Sequence, residues 1–225
     1  MQSPMPDEPP DIELATLPLR HPAVGEAVLD LFGAQTVLRL GLDPVKLEEG
    51  AIWREVTIDH VCHPPPRHEP GMASVTIRKI SWAGLPQYSE DYLIRVSRTV
   101  NEHDITEKAA IGVMALLIHE LEGISIEGVL QIGSGGDYAV ELSEEGGSLQ
   151  VEVSGIRNES ATGAASTRLE QKRSQVLKNS PSGYVSVTTF CRADGRTAHS
   201  YLHYTKIAKS DKKRENTKGK KGKKK

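Results

Sequence analysis

Between Asp104 and Leu177 the hydrophobic period of the chain switches from helical to alternating and back again. This order, helix–strand–strand–strand–helix, constrains the fold more than any other feature. The apolar run Ala109–Ile118 predicts a helix over Asp104–Leu121, with Asp104 as N-cap, Glu107 three residues on and Gly123 as the stop. Strands follow at Ile124–Ile132, Tyr138–Leu142 and Ser148–Val153, the last two joined through Gly146-Gly147. A Gly, Ser, Thr and Ala-rich loop, Gly155–Ser166, leads to a polar helix at Thr167–Leu177. The segments Tyr184–Cys191 and Ala198–Ile207 read as further strands around the turn Arg192–Arg196.

Three carboxylates sit at telling places in this order. Glu107 opens the apolar helix, Asp137 follows the turn Gly133-Ser134-Gly135-Gly136, and Glu152 lies inside the alternating strand. In that strand Gln150, Glu152 and Ser154 share one face and Leu149, Val151 and Val153 the other. A short hairpin sets Asp137 and Glu152 side by side, within reach of one hard divalent cation. A cation there would polarise a phosphate and lower the pKa of an attacking water. The same residues also fit plainer roles: a turn Asp after Gly, a solvent-facing strand Glu, and a capping Glu.

The order of elements, with Glu107 early in the helix, Asp137 at a strand start and Glu152 on the next strand, resembles the PD-(D/E)XK nuclease superfamily. It is most similar to the Holliday-junction resolvase and restriction-endonuclease-like branches, over residues 104–191. Two positions depart from that pattern: the Pro before the Asp is Gly136, and the Lys two residues after the Glu is Ser154. The resemblance implies an α/β fold with a restriction-endonuclease-like mixed central sheet flanked by helices. It further implies Mg²⁺ (or Mn²⁺) on Asp137 and Glu152 with Glu107 as auxiliary ligand. Lys172 or Gln175, on the following helix, would stand in for the missing Lys. The activity implied is metal-dependent endonuclease cleavage of nucleic acid. The alternative is a non-catalytic interaction, immunity or adaptor protein on a degenerate nuclease fold, which Ser154 and an acidic body favour.

Charge is segregated along the chain. The stretch Lys206–Lys225 holds 11 Lys or Arg against Asp211 and Glu215, leaving 17 basic and 28 acidic residues elsewhere. An acidic body and a basic tail are expected, the tail (208–225) without fixed structure. The run Lys212–Lys225 suits nucleic acid as a salt-sensitive arm, and equally an acidic partner or anionic lipid. Aromatics are only 4% of residues, so the core must come from Leu, Ile, Val and Ala. Two cysteines, Cys62 and Cys191, make no disulfide framework and suit a reducing cytoplasm. No apolar run is long enough to span a bilayer, and the first residues lack the basic start and apolar stretch of a secretory signal.

Residues 1–19 read as an irregular Pro-rich leader, and residues 20–100 as a small α/β unit that either extends the same sheet or serves recognition or dimerisation. Residues 101–207 form the endonuclease-like core. In the 20–100 unit the pattern predicts a helix at Pro22–Leu31 and strands at Gln35–Leu40, Ile52–Val61, Met72–Ile80 and Tyr92–Val100. His60, Cys62, His63 and His68 cluster around Pro64-Pro65-Pro66 as a surface loop or, less simply, a zinc site. His119 suits the negative end of a helix. His199 and His203 lie in the last strand, either on a half-exposed face or along a nucleic-acid groove.

Overall fold

The computed structural model describes residues 11–43, 46–47, 53–62, 73–83, 85, 89–130, 136–141, 148–158, 163–191 and 198–207. Among them the chain is α/β, with one mixed eight-stranded sheet flanked by helices. The strands are β1 (Asp11–Glu13), β4 (Trp53–Val61), β5 (Ala73–Ser81), β6 (Ile126–Val129), β7 (Tyr138–Glu141), β8 (Ser148–Asn158), β9 (Ser182–Cys191) and β10 (Ala198–Lys206). Two short strands, β2 (Leu42–Asp43) and β3 (Lys46–Leu47), pair separately. The helices are α1 (Leu17–Arg20), α2 (Glu26–Gly41), α3 (Glu90–Thr99), α4 (Glu102–Glu122) and α5 (Ala164–Asn179). The order across the sheet is β1-β5-β4-β10-β9-β8-β7-β6. Antiparallel β6-β7-β8 form one edge, and α5 makes the crossover from β8 to its parallel neighbour β9. The strands of residues 53–81 extend the same sheet through β10.

The two faces of β8 and β9 explain the layering. Val151, Val153 and Tyr184 point into the larger core beneath α4 and α2, which includes Met114, Leu116 and Leu117. Val185 and Val187 point the other way and pack on Leu169 and Val176 of α5. β9 is therefore covered on both sides, and its residues Gly183–Phe190 are all buried.

Several local expectations are corrected. Gln35–Leu40 is the second half of α2 and not a strand. Every residue from Phe32 to Gly41 is buried, so no polar face marks the 3.6-residue period. Tyr92–Thr99 is also helical, as part of α3, with Val100 its C-cap. Its buried residues Leu93 and Val96 and the half-buried Val100 recur at helical spacing. Within the leader, residues 11–19 are ordered: Ile12, Leu14 and Leu17 are buried, and β1 pairs in parallel with β5. The Asp104 cap is displaced to Asn101, whose Oδ1 accepts the Asp104 N–H at 2.9 Å. Glu107 thus falls in the second turn. β8 runs on to Asn158, through part of the expected loop. The expected Gln131-Ile132 end of β6, the glycine turn 133–135 and the tail 208–225 lie outside the described residues.

Candidate active site

β7 and β8 are of unequal length, and that inequality makes the site. β7 begins at Tyr138, opposite Val151, while β8 continues seven residues further. Beyond Val151 no strand among the described residues pairs with this edge of β8, so its backbone N–H groups need other acceptors. Asp137 answers the need at the first step. Its own N–H donates to Val151 O at 2.8 Å, and its Oδ2 accepts the Val153 N–H at 2.8 Å. The carboxylate is thereby held across the strand edge, beside Glu152.

Glu152 projects from the opposite face to Val151 and Val153, towards α5, and is 5% exposed. Lys172 of α5 reaches it, with Nζ donating to Oε2 at 2.5 Å. Burial pushes the Glu152 carboxyl above its usual range. The Lys172 hydrogen bond opposes the rise, and the nearby Asp137 charge adds to it. Burial, then the charges of Asp137 and Glu107, push the Tyr138 hydroxyl up as well, so Glu107 contributes to the same field.

These groups line a cleft of about 600 Å³ between α4 and α5, walled by Glu107 and Lys108 on one side and by Gln175 and Lys178 on the other. Asp137 and Glu152 form its base. All five residues expected from sequence, Glu107, Asp137, Glu152, Lys172 and Gln175, meet at this cleft or on its margin. Ser154, where a Lys is expected, lines a smaller adjoining cleft of about 320 Å³ that Lys172 shares. The amine next to Glu152 is therefore supplied from the helix.

His103 was not singled out from sequence, and Asp104 was read there only as a cap and not as a ligand. Their side chains and that of Glu107 bring ligand atoms within 4.8 Å of one another, so this cluster could hold a metal ion. The signal was the spacing i, i+1, i+4 over the first two turns, which puts all three on one side of the helix. Arg157 and Arg168 in the smaller cleft, and Lys108 and Lys178 in the larger, were also not singled out, because basic residues outside the core carry no periodicity of their own.

The histidines resolve differently. His60 is buried and bonds through Nε2 to Glu122 Oε1 at 2.5 Å, while His63 and His68 lie outside the described residues. Burial and the Arg20 guanidinium hold His119 below its ordinary range. The cation at that end of α4 is Arg20, paired with Glu120 at 2.9 Å. His199 is buried and stacks on Tyr201 at 4.4 Å, and His203 bonds Asp59 Oδ1 at 2.9 Å. Among the described residues no helix is long and apolar enough to cross a membrane. No family model, curated protein or solved structure matches the chain.

Proposed function

We propose that this protein is a metal-dependent phosphodiesterase that cuts nucleic acid, built on a restriction-endonuclease-like core. Lys172 carries the reading: its Nζ sits 2.5 Å from Glu152 Oε2, next to Asp137, delivered by the helix that follows the three antiparallel strands. An amine beside paired carboxylates at a strand edge is the group composition this chemistry uses. The donors are hard carboxylate oxygens. The raised proton affinity of Glu152 reflects burial first and then a neighbouring like charge, which a cation would relieve. Asp137 and Glu152 would hold Mg²⁺ or Mn²⁺, with Glu107 across the cleft as auxiliary ligand. Such an ion supplies Lewis acidity towards the phosphate and lowers the pKa of water.

The chain's own groups have separable tasks. Lys172 holds a positive charge where phosphate charge develops. Gln175, one turn along α5, presents an amide to the same cleft. Asp137 is fixed by two backbone hydrogen bonds, so its carboxylate needs little reorganisation. The Lys212–Lys225 arm adds affinity without sequence choice.

One observation favours the second reading, a non-catalytic interaction protein. Asp137 Oδ2 and Glu152 Oε2 are already satisfied, by Val153 N–H and Lys172, so the pair is stable as a structural element. Purified protein incubated with supercoiled DNA, single-stranded DNA and RNA in Mg²⁺, Mn²⁺ or EDTA separates the two. Metal-dependent cutting that Asp137→Ala abolishes supports the nuclease. A folded protein that cuts nothing under any of these conditions leaves the interaction reading.

A further inference from the structure

The smaller cleft adjoins the larger one and has Glu107 and Val153 in common with it, so the two form one trench along α5. Its floor is Ser154 and Gly155 of β8. A Cβ on Gly155 would stand 2.4 Å from Thr106 O, so α4 closes directly on the strand and the trench has a backbone wall. Arg157, Arg168 and Lys172 bring three cations to it. Their electrostatic states differ. Lys172 is committed to Glu152, and Arg157 Nη1 lies 3.1 Å from Glu102 Oε2, a carboxylate that Arg39 also engages. The Arg39 hydrogen bond holds the Glu102 carboxyl below its usual range, so it stays ionised there. Arg168 has no hydrogen-bond or ion-pair partner among the described residues, although it lines a cleft beside two acids.

We infer that the smaller cleft, through Arg168 and Arg157, binds a backbone phosphate of a nucleic-acid strand next to the phosphate that a cation on Asp137 and Glu152 would polarise. This rests on the nucleic-acid reading above and deepens it. A free guanidinium with five donors suits a phosphate oxygen pair. Arg168 and Lys172 are four residues apart on α5, a rise of about 6 Å, so two cations face successive positions along one strand. Among the described residues the smaller cleft has no Phe, Tyr or Trp in its lining, and its cations are of the kind that contact phosphate, so the recognition inferred is of the backbone and does not depend on sequence.

The test uses the full-length chain and a fluorescent single-stranded oligonucleotide in EDTA, where binding is read without cutting. Anisotropy is followed over a salt series for wild type, Arg168→Ala, Arg168→Glu and Arg157→Gln. Arg98→Glu, at an exposed position of α3, makes the same charge change away from the trench. Arg168→Ala is expected to weaken binding about 5-fold and to flatten the log–log salt slope by about 0.7, the loss of one single-strand phosphate contact. Arg168→Glu should weaken it further and Arg157→Gln less. If Arg168→Glu matches Arg98→Glu in both affinity and slope, the inference is overturned. Competition by inorganic phosphate as strong as that by a dinucleotide overturns the strand assignment. Cutting that persists while Arg168→Glu binds like Arg98→Glu sinks this inference alone. Binding that depends on Arg168 with no cutting sinks the hydrolytic reading alone.

Discussion

Replacing Lys172 with Met tests whether the Glu152–Lys172 contact is a working ion pair. Removing one partner of a buried pair costs about 3–5 kcal/mol, because the remaining charge is left desolvated. Here the side-chain exposures are 18% for Lys172 and 7% for Glu152, so the amine retains some water and the low end, about 3 kcal/mol, applies. For a domain of this size that is a fall in Tm of about 6–12 °C. The pH dependence is the sharper readout. Glu152's folded pKa is raised, by burial first, so its ionised form already costs stability at neutral pH, and that cost disappears as pH falls towards 4.5. Without Lys172 both contributions that lower the pKa vanish, and the neutral-pH cost grows. The gap between Lys172→Met and wild type should therefore be largest at pH 7.5 and shrink at pH 5, measured by urea melts followed in far-UV circular dichroism. Adding Glu152→Gln should recover most of the loss, since no buried charge is stranded. A loss under about 1 kcal/mol, or one that is equal at both pH values, would refute the pairing as the source of the effect.

Gly112→Ala tests the α2–α4 contact. The new Cβ would lie 2.2 Å from Thr36 Oγ1 and 3.0 Å from Phe32 O, and that hydroxyl is tied to Phe32 O at 2.8 Å. Overpacking of about 1–3 kcal/mol against a helix-propensity gain of about 1 kcal/mol leaves a net loss of up to about 2 kcal/mol. Adding Thr36→Ala should recover part of it in the same denaturation assay. His21 is fully buried, accepts the Ile126 N–H on Nδ1 at 3.0 Å and so donates from Nε2 to Ala115 O at 2.9 Å. Burial lowers its pKa from 6.5 to about 4, so folding stability should fall as pH drops from 6.5 towards 4, by about 3 kcal/mol. His21→Gln should remove that limb of the stability–pH curve, and an unchanged limb would sink the assignment. Calorimetric titration with Mn²⁺ distinguishes the two carboxylate groupings. Asp137→Asn should lower the affinity at least tenfold if the ion sits at Asp137 and Glu152, whereas an effect confined to His103→Ala would move it to the His103–Asp104–Glu107 cluster.

What could be read from the sequence follows from where each signal is local. The carboxylate pair was legible because its causes lie within sixteen residues: an alternating strand fixes the face of Glu152, and a turn before a strand fixes Asp137. The polar helix at residues 167–177 was legible too, but its rotation about its own axis was not. That angle is set by Leu169 and Val176 packing on Val185 and Val187, contacts between segments that no periodicity in α5 alone specifies. The two misread elements have separate causes. In α2 the Gln35–Leu40 half is buried all round, so neither a stripe nor an alternation survives, and β-branched residues tip the reading to a strand. In α3 the amphipathic stripe exists but is short, and Tyr92 and Ile94 mimic alternation. Lys172 was a candidate from the sequence, but its reach to Glu152 was not legible there. Two residues after Glu152 a strand position would have announced the amine, whereas a helix position twenty residues away reaches Glu152 only because Leu169 and Val176 lock α5 in one rotation. The site's charge balance therefore depends on hydrophobic packing, and a cavity at Val176 should loosen the Lys172–Glu152 contact as surely as a substitution of Lys172 itself.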